Sequence, residues 1–462
     1  MQTARARAPL TASAAMKIWR EIEGSGGARA VADSAAAPSP DAARALPLLP
    51  LLALVVATVG AVATLGPLLG IHPSPPTLAL LALGALAVHL APERAFEVTA
   101  LTGLLALAAT NRPYALYHAA LVGLLFVARN GTWALAGLLG LLAIWLPKHL
   151  FASHYHHPAV YGWINEPSLV LVLFVTACWW RTRRDGRLPP AAKTASPLAW
   201  ALMYLFPGHA LNPMVFAPSD VFRARRLDVR GIGAGLLLVA LKAGAHTAIR
   251  RFLGQASYAG LDAARMATLT RAELWGVVSI NYLDLVVTLS GTSDVAILLA
   301  RLYGWPMASP FRFALLAWNP VELWRRWGIY NRKLLLTLVY FPLGGNQRHR
   351  TRNVLATFLA SALLLHTGWF GSKYWAIGLG GWRDQTVYFL VQGLLVCGCL
   401  WYRDRRGERR GSADHTLRWS WSRAGGTIAT QGASALAHVI ILAQALPFAT
   451  RFQLIARCLA LR

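Results

Sequence analysis

Long apolar runs, separated by short polar or basic connections, recur along most of the chain. Strand-type alternation is sparse, and a backbone inside a membrane must satisfy its hydrogen bonds locally, so the runs predict helices. The runs are Leu46 to Leu69, Pro76 to Leu90, Phe96 to Ala109, Tyr114 to Ala128, Trp133 to Leu146, Leu169 to Trp180, Pro197 to Phe206, Ile232 to Ile249, Leu274 to Leu299, Val354 to Leu365, Thr386 to Tyr402 and Ala435 to Phe448. A full span needs about 20 residues and a half-buried one is shorter, so we expect roughly ten to twelve transmembrane or re-entrant helices.

The composition supports this class. Hydrophobic residues make up 56% of the 462 residues, charged residues make up only 14%, and the mean hydropathy is +0.45. Those values are too apolar for a soluble domain of this size. The sequence therefore predicts an all-α, polytopic membrane protein.

The net charge of +26 would suggest nucleic acid as a partner of a soluble protein. Here the arginines gather in short connections between apolar runs, where they act as topology signals, so we expect no nucleic-acid partner. The basic connections are Arg181 to Lys193, Arg223 to Arg230, Arg348 to Arg352 and Arg403 to Arg418. The positive-inside rule places them in the cytoplasm together with the N-terminal tail, and a bacterial inner membrane fits best.

The domain organisation is simple. Residues 1–45 are rich in Ala, Ser, Gly and Pro and predict a disordered cytoplasmic tail. Residues 46–462 show no internal repeat and no long linker, so we expect one multi-pass membrane domain. We expect no metal site, because His154, His156 and His157 have no partner at metal-ligand spacing and Cys397-Gly398-Cys399 lacks redox or zinc spacing.

The candidate chemistry lies between Trp318 and Gly368. Trp324 and Trp327 are amphipathic rings suited to the headgroup level, and Arg325 and Arg326 between them are suited to a phosphate or lipid headgroup. By itself, the same segment also fits an interfacial anchor. An ionisable residue at membrane depth is costly and is read as functional by default, which singles out His366.

A glycine-bearing turn follows the tryptophan segment. Pro342, Gly344 and Gly345 permit a tight non-helical turn whose backbone N–H groups could meet a substrate oxygen. Asn346 directly after the turn and Asn331 before it are further sources of hydrogen-bond donors for a developing oxyanion. Irregular backbone of this kind is tolerated at membrane depth only where protein or a wet cavity surrounds it.

Four ordered groups of residues resemble the membrane-bound O-acyltransferase family, MBOAT, from about residue 204 to about residue 381. They are Tyr204-Leu205-Phe206-Pro207 with Asn212-Pro213-Met214, Tyr282 and Asp284 with Ser290-Gly291-Thr292-Ser293-Asp294, Trp324-Arg325-Arg326-Trp327 with Tyr340-Phe341-Pro342-Leu343-Gly344-Gly345-Asn346, and Leu364-Leu365-His366-Thr367. The third group is the strongest match. The branch that the resemblance indicates contains bacterial polysaccharide O-acetyltransferases and the D-alanyl transferase of teichoic acids.

The resemblance implies a helical bundle with a central tunnel and an O-acyltransferase activity for groups other than amino-acyl groups. His366 would be a general base that takes the proton of an acceptor hydroxyl as its oxygen attacks an acyl thioester. The tryptophan–arginine segment, the turn and the pair Ser290 and Asp294 would bind substrate. Acyl-CoA or another acyl thioester is the expected donor, with no separate cofactor, and the acceptor is a hydroxyl on an envelope glycan or lipid.

One departure from the family keeps other functions open. Gly328 stands directly after Trp327, where family members usually carry His or Asn. Either Asn331, one helical turn further on, substitutes for that residue, or the site has lost a catalytic or substrate-orienting group. A catalytically inactive scaffold that binds lipid is therefore one alternative, and a transporter is another, although inverted repeats and paired broken helices are not found. We also leave open a periplasmic or membrane partner protein.

The acidic residues of the same region have a structural alternative. Glu322, Asp284 and Asp294 could each pair with arginines inside the bundle.

Overall fold

The computed structural model describes residues 47–110, 115, 225–252, 257–366, 382–406, 420–443 and 446–461. These residues form helices joined by loops and short helical turns, and none of them forms a strand. The α-helices are α1 (Leu48–Leu65), α2 (Pro75–Leu90), α3 (Ala95–Thr110), α4 (Val229–Phe252), α5 (Ala263–Thr268), α6 (Arg271–Leu302), α7 (Pro320–Arg326), α8 (Ile329–Leu335), α9 (Arg350–Ala360), α10 (Trp382–Arg405), α11 (Trp421–Leu442) and α12 (Phe448–Cys458). The all-α class predicted from the sequence is confirmed.

Five of the described helices are long and apolar enough to cross a membrane: α1, α4, α6, α10 and α11. The helices α2 and α3 reach this standard only as a pair, and they bend by 117° at the break between them. The described part of the chain therefore contains five candidate spans, or six with the bent pair. The expected ten to twelve stays a prediction, because the apolar runs between residues 114 and 206 lie outside the described residues, as do the tail 1–45 and the motif residues 204–214.

The bounds predicted for the last apolar helix are wrong. The sequence predicts a helix from Ala435 to Phe448, but α11 begins at Trp421 and ends at Leu442. Its first half carries Gly425, Gly426 and Gln431, so hydropathy alone does not mark it. Ser420 starts the helix instead, because its hydroxyl accepts from the N–H of Arg423.

Helix α6 is the central element of the fold. It has 32 residues, and Thr270 and Glu273 form a reciprocal capping box at its N-terminus. It packs along α4 over much of its length and also contacts α11 and α12. Its last ten residues, Ser293 to Leu302, are mostly buried and pack in the N-terminal core, whereas Leu274 to Val286 pack in the C-terminal core. The helix therefore joins the N-terminal group of helices to the C-terminal group that carries the candidate site.

Two of the basic connections lie at the same end of the bundle. Arg350, in the connection 348–352, donates to Asp404, in the connection 403–418, over 2.9 Å. The positive-inside rule had placed both connections on one side of the membrane. The ion pair agrees with that part of the predicted topology.

Candidate active site

The tryptophan–arginine segment forms a short, well-defined helix. Asn319 caps α7 by accepting from the N–H of Glu322 over 2.8 Å, and Pro320 occupies the first helical position. The helix ends before Trp327, which is extended, and Gly328 follows with a φ of +59°. This left-handed conformation favours glycine and turns the chain sharply into α8.

Glu322 holds both arginines of the segment. One of its carboxylate oxygens accepts from Arg325 over 3.1 Å, and the other accepts from Arg326 over 3.3 Å. Glu322 is buried, whereas the side chain of Arg325 is 32% exposed and that of Arg326 only 12%. The pairing of Glu322 with arginines anticipated from the sequence is therefore present. Arg325 is the better placed of the two cations to meet an anionic group from outside.

The two tryptophans are half-buried in an aromatic cluster. The indole N–H of Trp324 donates to the amide oxygen of Gln392 on α10 over 3.2 Å. Its ring lies edge-on to Phe358 of α9, with ring centres 5.0 Å apart. Trp327 lies edge-on to Phe311 at 5.2 Å. Packing and a hydrogen bond to Gln392 hold these rings, in addition to any contact with headgroups.

The turn after α8 is built as its sequence predicts, but its amides are occupied. Gly344 and Gly345 have φ values of +102° and +56°. The N–H of Gly344 donates to the carbonyl of Phe341, and that of Gly345 to the carbonyl of Tyr340. In the structure these two N–H groups are used within the turn rather than directed at a substrate oxygen.

The side chains around the turn hold its shape. Tyr340 donates its hydroxyl to the side-chain oxygen of Asn346 over 2.6 Å. Asn353, from the first turn of α9, donates to the carbonyls of Gly345 and Arg348. Pro342 and Asn346 are exposed, so this face of the turn is accessible from outside.

Two π-helical turns flank this region, one over Leu336–Tyr340 and the other over Ser361–His366. Such turns are rare and occur often at functional sites. His366 is the last residue of the second one, and its side chain lies outside the described part of the structure. Ala362, one turn earlier, is fully buried against Tyr388 and Phe389 of α10. The segment that carries His366 therefore packs on the same helix that binds Trp324.

Asn331 lies in α8 and is half-buried. A β-carbon added to Gly328 would lie 4.0 Å from the β-carbon of Asn331, and no other atom would come within that distance. The space beside Gly328 is open, and Asn331 borders it. This position is compatible with the substitution predicted from the sequence.

Asp294 and Ser290 are satisfied inside the bundle. Asp294 of α6 is buried and forms a short ion pair with Lys242 of α4. Ser290 donates to the carbonyl of Val287 within its own helix. The ion pair resembles the structural pairing considered from the sequence, but the partner is a lysine rather than an arginine.

Asp284 makes a second polar contact between α4 and α6. One of its carboxylate oxygens lies 2.7 Å from Nδ1 of His246, and the other lies 3.9 Å from Arg250. The hydroxyl of Thr288 lies 2.9 Å from the same His246 nitrogen. Lys242, His246 and Arg250 follow at intervals of four residues, so one face of α4 presents all three to α6.

A second histidine, His438 of α11, is buried in the bundle with 2% of its surface exposed, and no motif in the sequence marks it. Its Nε2 lies 2.8 Å from the hydroxyl of Tyr388, and its Nδ1 lies 2.7 Å from the carbonyl oxygen of Ser434. Its ring also contacts Tyr282 and Trp327. A lone histidine in an apolar run is the signal that singled out His366, and the run Ala435 to Phe448 contained the same signal.

Three curated proteins match part of the chain, and each is called probable alginate O-acetylase AlgI. They come from Pseudomonas putida, Pseudomonas fluorescens and Pseudomonas syringae pv. tomato. Each is 31% identical to this chain over 101 residues, which is 21% of the chain. The match spans about a fifth of these relatives' own length, between 18% and 20%.

No protein-family model matches the chain. Three relatives nevertheless agree on one kind of protein, and the chain has the apolar helices of a multi-pass membrane protein. The Trp324–Trp327 segment and the glycine turn also occur in the order expected for that kind of protein. These findings support the resemblance of the chain to the membrane-bound O-acyltransferase family.

Proposed function

We propose that the protein transfers an acyl group from a thioester donor to a hydroxyl group of an envelope glycan or lipid. The observation that carries this proposal is the convergence of two distant segments on α10. Trp324 binds Gln392 of that helix, and Ala362, in the turn that ends at His366, packs against Tyr388 and Phe389. Trp324 and Ala362, which are 38 positions apart in sequence, thus pack on the same helix, and this supports a role for the nearby His366.

The proposed reaction uses His366 as a base. A neutral imidazole accepts the proton of the acceptor hydroxyl while the hydroxyl oxygen attacks the carbonyl carbon of the thioester. The tetrahedral intermediate then collapses, the carbon–sulfur bond breaks, and the thiolate takes the proton from the imidazolium. General base catalysis of this kind contributes about 10²- to 10⁴-fold in rate.

The donor is proposed to be an acyl-CoA or a similar anionic thioester, with Arg325 as its first contact. Arg325 is the more exposed arginine of the segment, and a guanidinium suits phosphate groups. The name of the relatives, alginate O-acetylase, makes an acetyl donor and a polysaccharide hydroxyl the first pair to test. We further propose a bacterial inner membrane with the N-terminus in the cytoplasm, and a separate periplasmic or membrane protein as a partner.

One observation favours a second candidate, a non-catalytic protein that binds lipid. Glu322 pairs with both Arg325 and Arg326 and so cancels one of their two charges, and Gly328 offers no side chain to a substrate. Both features fit a site that has the conformation of a binding site but lacks catalytic activity. A protein of this kind would bind anionic lipid or thioester and transfer nothing.

The test compares the purified wild-type protein in lipid nanodiscs with His366→Ala, using radiolabelled acetyl-CoA and a panel of polysaccharides and glycolipids. His72→Ala is the matched control, because His72 is an exposed histidine in the loop before α2. We expect transfer by the wild type and the control, and a loss of at least about 100-fold in His366→Ala. Equal transfer by His366→Ala would remove His366 from the mechanism. Binding without transfer by the wild type would favour the non-catalytic candidate.

A further inference from the structure

The buried residue His438 lies where four segments of the C-terminal bundle meet. Its ring centre is 4.6 Å from that of Tyr388 on α10, 4.8 Å from that of Tyr282 on α6 and 5.8 Å from that of Trp327. No described acidic side chain pairs with it. A polar ring buried in a candidate membrane span is costly unless its nitrogens have partners, which makes those partners the first thing to identify.

The hydrogen bonds of His438 determine its tautomer. Nδ1 lies 2.7 Å from the carbonyl oxygen of Ser434, and a carbonyl oxygen can only accept, so Nδ1 carries a hydrogen. In the neutral ring Nε2 then accepts from the hydroxyl of Tyr388 at 2.8 Å. The hydroxyl oxygen of Ser434 also lies 3.5 Å from Nδ1. Both ring nitrogens therefore have partners, and the orientation of the ring is set.

The neighbours of His438 are fixed as well. Tyr282 donates its hydroxyl to the side-chain oxygen of Gln431, and the amide nitrogen of Gln431 donates to the carbonyl of Ala314. Trp327 therefore packs on rings that hydrogen bonds hold in place. Four residues after Tyr388 on the same helix, Gln392 accepts from Trp324.

Both tryptophans that flank Arg325 and Arg326 are thus held from one side, Trp324 by Gln392 and Trp327 by His438. The backbone after Trp327 turns through the left-handed Gly328 and does not itself fix the indole. We propose that His438, oriented by Tyr388, is a positioning residue that fixes Trp327 and so the donor-binding Trp324–Trp327 segment. The inference rests on the proposed acyl transfer.

The experiment measures kcat and KM for acetyl-CoA in nanodiscs, per molecule of folded protein. His438→Phe keeps a ring but removes both hydrogen bonds, and Tyr388→Phe removes one oxygen atom and so tests the pair with the least disturbance. We expect both to raise the KM of the donor about fivefold, the equivalent of one ordinary hydrogen bond, at nearly unchanged kcat. His438→Gln, whose amide oxygen can accept from Tyr388, should return the KM to within about twofold of the wild type.

The control is His89→Phe. His89 of α2 is half-buried and its Nε2 lies 2.8 Å from the carbonyl of Leu302, remote in sequence from the tryptophan segment. This variant should lose stability without any change in KM. The same result in His438→Phe and Tyr388→Phe would overturn the positioning role, as would a fall in kcat at constant KM. A wild-type protein that transfers nothing from any thioester would overturn the proposed function, and the positioning role with it.

Discussion

The ion pair between Lys242 and Asp294 decides whether Asp294 serves structure or substrate. Asp294→Asn leaves the ammonium group of Lys242 without its counter-charge, and Lys242→Met leaves a carboxylate that is only 4% exposed. Removal of one partner of a buried pair costs about 3–5 kcal/mol. Because Lys242 keeps 18% of its side-chain surface, we expect about 3 kcal/mol for Asp294→Asn and more for Lys242→Met.

The double variant shows whether the Lys242–Asp294 ion pair has a structural role. If the two groups mainly compensate each other, the double variant Lys242→Met with Asp294→Asn loses less stability than the sum of the two single losses, with a coupling energy of about 2 kcal/mol or more. The assay is reversible unfolding in bicelles by titration with SDS, followed by tryptophan fluorescence. Single losses that add within about 0.5 kcal/mol would refute the reasoning.

A more exposed ion pair provides the reference for this comparison of single and double variants. Arg350 and Asp404 lie 2.9 Å apart, but their side chains are 20% and 44% exposed. Water and salt screen such a pair, so its coupling should be about 0.2–1 kcal/mol. Activity gives an independent reading. If Asp294 binds substrate, Asp294→Asn lowers the transfer activity per folded molecule equally in the single and the double variant.

Two further predictions concern local geometry and a buried arginine. Gly344→Ala should cost about 1–3 kcal/mol in the same unfolding assay, because Gly344 has a φ of +102° and the new β-carbon would lie 3.2 Å from the β-carbon of Arg348. The control is Gly60→Ala in α1, where the space is open, and it should be neutral or stabilise the protein by up to about 1 kcal/mol. Arg451→Met should cost about 3–5 kcal/mol because it leaves the buried carboxylate of Asp384, 2.8 Å away, without its buried partner. A loss below about 1 kcal/mol in the same titration would show that the exposed Arg383, 3.2 Å from the other carboxylate oxygen, suffices.

Much of the candidate site could be predicted from local sequence. The Trp324–Trp327 segment, the glycine turn and the apolar helix that contains His366 were all recognised from residue type and order. Asn319 and Pro320 are an N-terminal signature that the structure uses as such. These features depend on neighbours within a few residues, which a sequence shows directly.

The roles of the polar groups could not be predicted in the same way. Gly344 and Gly345 were expected to offer their amides to a substrate, but hydrogen bonds within the turn use both. Asp294 was assigned to substrate binding, yet its partner is Lys242, 52 residues earlier. His438 was overlooked although Tyr388, 50 residues away, accompanies it. Each of these partners lies on another helix or in a compact turn.

The sequence by itself determined the class of protein, the helical architecture and the order of its motifs, because hydropathy, capping and glycine placement act over short stretches of chain. Only the tertiary structure decided which polar side chains are paired with each other and which remain open to a substrate. The physical reason is that a buried polar group must find its partner in space, and helix packing, not sequence distance, brings the two together.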